Sequence, residues 1–140
     1  MKTQQSPNLS DALNRWIAVE EAATHGAPST VSLSDVLSDT VVFESPVVFT
    51  PQDGKPITMR YLQAALQVLK QDFTYTDLIE ADGKAALVFE CTVGDIAVNG
   101  VDLLRFDDEG RIVSFKVMLR PLKAIQAVHA AMAAELAQAA

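Results

Sequence analysis

The chain holds a single cysteine, Cys91, in 140 residues. One thiol excludes an internal disulfide, and with no Cys or His neighbour at ligand spacing it offers no zinc site, so Cys91 reads as a small packing residue. Basic residues are scarce as well: 11 Lys and Arg stand against 18 Asp and Glu, a net charge of −7. No Lys/Arg stripe is present to hold phosphates, which excludes nucleic acid and anionic membrane surfaces as expected partners. No apolar run approaches the ~20 residues that cross a bilayer, and MKTQQSPNLS at the start is polar where a secretory leader would be apolar. The expectation is a cytoplasmic protein with no cofactor and no metal. Positively, 49% hydrophobic residues and no internal repeat suit one domain over residues 1–140, with residues 1–8 as a flexible N-terminus.

Hydrophobic periodicity orders the chain. Leu13, Trp16, Ile17, Ala23 and, less cleanly, Val19 fall at helical spacing between Leu9 and Thr24, behind an N-cap from Ser10 with Asp11. HGAP at residues 25–28 ends that helix, because Gly accepts a left-handed C-cap and Pro cannot continue. SLSDVLSD predicts a short helix over residues 34–38. TVVFESPVVFT, residues 40–50, is β-branched and aromatic with Pro46 in its middle, and predicts two short strands joined at Ser45-Pro46. After a turn at Asp53-Gly54, Ile57, Tyr61, Leu62, Ala65, Leu66 and Leu69 predict a third helix over about residues 56–71.

From Asp72 the period drops to two. DFTYTDLIE and AALVFECTV flank the hairpin signal Ala81-Asp82-Gly83-Lys84, and DIAVNGVDLLRF and RIVSFKVMLR flank DDEG. These segments predict a meander of four long antiparallel strands. PLKAIQAVHAAMAAELAQAA then predicts a C-terminal helix over residues 121–138. The fold class is α+β, with helices packed on one face of a curved antiparallel sheet.

Strand alternation gives one residue special weight. Asp102, Leu104 and Phe106 share a face, as do Phe115, Val117 and Leu119, and Leu87, Phe89 and Cys91; the opposite face carries Glu90, Arg105 and Lys116. The first face is apolar except for Asp102. A carboxyl set among Phe89, Leu104, Phe106 and Phe115 is desolvated, which disfavours its charged form and raises its pKa. Two readings stay open: Asp102 faces a ligand, or it is structural and accepts buried bonds from Trp16, Tyr61 or a water, or pairs with an Arg.

The element order, together with VVFESP and GVDLLRFDDEGRIVSFKVMLRPLK, resembles the nuclear transport factor 2-like superfamily, which includes ketosteroid isomerases, SnoaL-like polyketide cyclases and limonene epoxide hydrolases. A D-x-x-x-F-D-x-x-G-R-I pattern across the last two strands is common in SnoaL-like members. The resemblance implies a cone in which the sheet's concave face and the helices enclose an apolar pocket, with a homodimer formed through the other sheet face. It places Asp102 where the isomerases carry a protonated aspartic acid that donates to an oxyanion. It also places Ser45 at their general-base position and Trp16 at their oxyanion-hole tyrosine, and an indole can donate but not accept. Glu44, one residue from the base position, is a substitute base only if Pro46 re-aims it.

The epoxide hydrolases hold a water between two acids, and strand parity provides no second pocket-facing acid here. The cyclases pair an Asp with a His, and only His25 and His129 are available. Trp16, Phe49, Met59, Tyr61 and Phe89 are candidates to line an aromatic pocket or, equally, to fill the core. The expected function is therefore binding of an apolar, oxygen-bearing small molecule, with isomerase-like or cyclase-like proton transfer as the chemistry. The alternative is a non-catalytic binding or dimerisation domain with a structural Asp102.

Overall fold

Helix α1 (Asp11–His25) starts where the Ser10 hydroxyl accepts the Leu13 N–H at 3.1 Å and ends at Gly26, whose φ of 69° forms the left-handed C-cap. A cap of this kind contributes about 1 kcal/mol. The Ser10 amide and hydroxyl both donate to the Glu80 carboxylate, tying the helix start to the sheet. The structure, a computed structural model, describes residues 9–139, so the flexible N-terminus expected over residues 1–8 lies outside the described residues. Helix α2 (Leu33–Val36) begins earlier than expected because Ser32 supplies the cap: its hydroxyl accepts the Asp35 N–H while the Asp35 carboxylate accepts the Ser32 N–H.

Strand β1 (Leu37–Glu44) follows at once, and the second strand expected after Pro46 does not form. The Ser45 hydroxyl instead accepts the N–H groups of Val47 and Val48 at 3.3 and 2.9 Å, a local turn that competes with a ladder Pro46 could not join. The two-residue β2 (Gln52–Asp53) pairs back on β1. Helix α3 (Lys55–Val68) has Pro56 in its first turn.

The expected meander is present as β3 (Thr74–Ala81), β4 (Lys84–Val93), β5 (Ile96–Phe106) and β6 (Ile112–Arg120). Its first hairpin turns on Asp82 and Gly83, with φ of 53° and 73°, the positive pair that a two-residue type I′ turn requires. The sheet has six strands in the order β2-β1-β6-β5-β4-β3, and β1 runs parallel to β6. It is therefore mixed, a correction to the antiparallel sheet expected; the β1–β6 pairing joins segments about seventy residues apart and leaves no trace in local alternation. Helix α4 (Leu122–Ala139) packs on β5, β6 and α3. Among the described residues no helix is long and apolar enough to cross a membrane.

Burial alternates along β4, β5 and β6 as the sequence parity requires. Leu13, Trp16 and Ile17 of α1 pack with Leu62 of α3 over the inner sheet residues Leu87, Phe89, Leu104 and Phe115. Gly100 leaves no room for a side chain on this face: a Cβ there would lie 2.5 Å from Phe89 Cζ and 2.7 Å from Leu119 Cδ2. The Phe89 ring thus crosses the Gly100 backbone and stacks on Phe73 at 5.0 Å, against which Tyr75 stands edge-on at 5.0 Å.

Candidate functional site

Asp102 lies mid-strand on β5, flanked on the inner face by Leu87 of β4 and Val117 of β6, and is 6% exposed. Its Oδ2 accepts a hydrogen bond from the Tyr75 hydroxyl at 2.9 Å. That hydroxyl in turn accepts from the Trp16 indole Nε1 at 3.0 Å. A chain of donors therefore runs from α1 through β3 to β5. The direct partner differs from those expected: Trp16 is one step removed, and Tyr61 lies elsewhere, tilted on Phe43 at 5.9 Å. Tyr75 carried a usable signal, since it alternates with Phe73 toward the inner face and pairs with Phe89 in the register.

Helix α1 brings a second acid, which strand parity could not reveal. Glu20 sits one turn after Trp16 and is 1% exposed. Its Oε2 accepts from the Thr24 hydroxyl at 2.7 Å, whereas Oε1 has no hydrogen-bond partner among the described residues. Glu20 and Asp102 both line a small cavity of about 30 Å³ with Trp16, Tyr75, Phe89 and Phe115. That volume admits a single water-sized polar group. Burial pushes the Asp102 carboxyl up to about 7, against the hydrogen bond from Tyr75, which pulls it down. Burial likewise pushes Glu20 up to about 7; the Thr24 bond opposes the shift, and the Glu21 and Asp102 charges add to it. Burial, with the charges of Asp102 and Glu20, raises Tyr75 well above the usual phenol range, so it stays a neutral donor.

A larger apolar cavity of about 220 Å³ adjoins this one, and Ala65, Leu69 and Val117 belong to both walls. Phe43, Ser45, Tyr61 and Leu119 line it from β1, the following loop, α3 and β6, and Val128, His129, Met132 and Leu136 of α4 close its other side. Of the residues expected to line a pocket, Ser45, Tyr61, Val117 and Leu119 face the larger cavity, and Trp16, Phe89, Phe115, Val117 and Asp102 face the smaller. Leu87 and Leu104 are core residues beside Asp102, Phe106 is half-buried, and Met59 packs at the core edge on neither wall. Phe49 is a correction: the loop after Ser45 carries it outward, and it is 98% exposed. Glu44 is another, because it faces the outer side of the sheet, where it approaches Lys116 at 3.8 Å, and lines neither cavity.

His25 ends α1 in solvent, and His129 is exposed at the rim of the larger cavity. Burial pushes the Cys91 thiol up to about 12, which removes it as a nucleophile. Among the described residues no cluster of three His, Cys, Asp or Glu could hold a metal. What the site offers is two buried carboxyl groups at one cavity, both poised near neutrality: one form of such a group donates a proton and the other accepts one.

No family model matches the sequence, and no curated protein matches it. Solved structures do. A steroid delta-isomerase from Pseudomonas aeruginosa is 32% identical over 96% of this chain and 97% of that one, with a TM-score of 0.82. A SnoaL-like polyketide cyclase, so described, from Shewanella putrefaciens is 14% identical over 90% and 88%, with a TM-score of 0.62. An NTF2-like protein of unknown function from Cytophaga hutchinsonii is 13% identical over 86% and 99%, with a TM-score of 0.61. The last two similarities concern the fold alone.

Proposed function

The chain belongs to the nuclear transport factor 2-like superfamily, and from that premise we propose that it binds an apolar, oxygen-bearing small molecule and acts on it by cofactor-independent proton transfer. In this reading the ligand's body occupies the larger cavity and its oxygen enters the smaller one at Asp102. One observation carries it: the Trp16–Tyr75–Asp102 chain ends at a carboxyl on the wall of a cavity adjoining an apolar one. Burial pushes the Asp102 carboxyl up to about 7, which keeps its protonated form accessible near neutral pH. The O–H then donates to a carbonyl or enolate oxygen while Tyr75 holds the other carboxyl oxygen. A fixed donor of this kind stabilises charge that develops on the ligand oxygen. Likeness to a steroid delta-isomerase supports a steroid-like alicyclic ligand and isomerisation as the chemistry.

The working unit in this reading is a cytoplasmic, single-domain chain that pairs into a homodimer through the outer sheet face. Ile79 and Met118, 59% and 48% exposed on that face, supply apolar surface for the contact. Sedimentation at micromolar concentration tests it; a monomer refutes it.

A second reading, a non-catalytic domain with a structural Asp102, is favoured by the Tyr75 bond that already occupies Oδ2. Thermal-shift screening with cyclic ketones and phenols separates the two. Hits should weaken in both Asp102→Asn and Asp102→Leu; hits indifferent to both changes leave Asp102 structural.

A further inference from the structure

We propose that α4 sets the size of the ligand: Val128, Met132 and Leu136 close the larger cavity around a body of one or two rings, about half the carbon skeleton of a steroid. The inference rests on the ligand-binding reading above and narrows its ligand class. Val128, Met132 and Leu136 follow one another at four-residue steps, so they stack on a single face of α4 and present three side chains to the cavity. Arg60 of α3 ties that helix near its end, its Nη2 donating to the Leu136 carbonyl at 3.3 Å. Val128 is buried, and Met132 packs half-buried against the core. The opposite wall is built into the sheet, where Phe43 and Val117 are 2% and 6% exposed. Where the larger cavity meets the smaller, the further space is about 30 Å³, room for an oxygen and for no ring.

Volume decides what fits. An apolar cavity of about 150 Å³ holds benzene, which gives about 25 Å³ for each carbon. At that rate the cavity of about 220 Å³ takes about nine carbons. Two fused six-membered rings come close to filling it, whereas the four-ring nucleus of a steroid, with about seventeen carbons, needs roughly 420 Å³. The surplus rings would pass the exposed His129 at the rim and lie in water, where they bury little surface and add little affinity. Among the described residues the lining is apolar apart from Ser45, Tyr61 and His129, and the Ser45 hydroxyl is engaged with the amides of its own loop. Shape, more than hydrogen bonding, therefore sorts ligands at this end of the site.

Equilibrium dialysis of the full chain against cyclohexanone, 2-decalone and a saturated four-ring steroid ketone measures the limit. 2-Decalone should bind on the order of 100-fold tighter than cyclohexanone, because each added buried carbon contributes about fourfold. The steroid ketone should then stay within about tenfold of 2-decalone, its outer rings being solvated. Met132→Trp fills the cavity and should weaken 2-decalone by about tenfold or more while leaving cyclohexanone within about threefold. Leu136→Trp, one turn on, should do the same; it keeps the tie to Arg60, which uses the backbone carbonyl. Met132→Ala opens room for about three carbons and should tighten the steroid ketone about tenfold without gain for 2-decalone. A steroid ketone that binds wild type about 100-fold or more tighter than 2-decalone overturns the size limit. So do filling variants that weaken the two smaller ketones equally or not at all; in either case binding that still falls in Asp102→Asn leaves the site reading intact. Binding that obeys the size limit but ignores Asp102→Asn overturns the placement of the oxygen and leaves the α4 limit standing. Absence of binding by all three ketones overturns both.

Discussion

Raising the pH from 5 to 8 should destabilise this fold, opposite to the usual carboxylate trend. Asp102 has an ordinary value of 3.8 and is pushed to about 7 by burial; Glu20 moves from 4.5 to about 7. Each group therefore binds its proton more tightly folded than unfolded. The stabilisation this gives is full below the unfolded pKa and is lost as pH rises through the folded one. Between pH 5 and 8 the loss is on the order of a few kcal/mol for the pair. The two carboxyls interact, so the descent belongs to the pair and spreads over two macroscopic steps. Asp35, held below its ordinary 3.8 chiefly by the Ser32 backbone N–H, completes its titration beneath this window. Urea unfolding at pH 5, 6, 7 and 8 measures the effect, and the midpoint should fall by on the order of 1 M or more across the range. Asp102→Asn and Glu20→Gln should each reduce the slope, and the two together should abolish it. A wild-type profile flat from pH 5 to 8, or a slope that survives both substitutions, would refute the argument that burial holds these two acids near neutrality.

Two further outcomes test the packing around the site. Gly100→Ala should cost about 1–3 kcal/mol in thermal or urea unfolding, because its Cβ would overlap Phe89 and Leu119, which cannot both retreat in a packed face; an unchanged midpoint means the Phe89 ring does not cross that backbone. Tyr75→Phe should cost about 1–3 kcal/mol by leaving Asp102 and the Trp16 N–H unpaired. A double-mutant cycle with Trp16→Phe should then give a coupling of about 0.5–3 kcal/mol; strict additivity breaks the proposed chain.

Much of this architecture follows from local chemistry. Ser10 and Gly26 bound α1 because a hydroxyl and a left-handed glycine satisfy end groups only a few residues away. Asp82-Gly83 sets its hairpin, and period-two alternation puts Asp102 on the inner face, for the same short-range reason. The loop after Ser45 escaped the reading because β propensity and a side-chain turn compete there, and Pro46 tips the balance by withholding a ladder donor. Glu20 was visible in outline: it falls three residues after Ile17 and four after Trp16, on the buried stripe of α1.

By itself the sequence determined an α+β chain with a desolvated aspartate on the inner wall of its sheet. Side-chain direction along a strand or helix is a property of neighbouring residues, so that much needs no tertiary contact. Only the tertiary structure decided that Tyr75 holds Asp102, that Glu20 shares its cavity, and that β1 lies parallel to β6. Each of these joins residues from different elements, and their distances depend on how α1 settles on the sheet and how the strands order. The pairing of the two acids is set by that packing, because burial, which raises both, exists only once the helix and the sheet have closed over them.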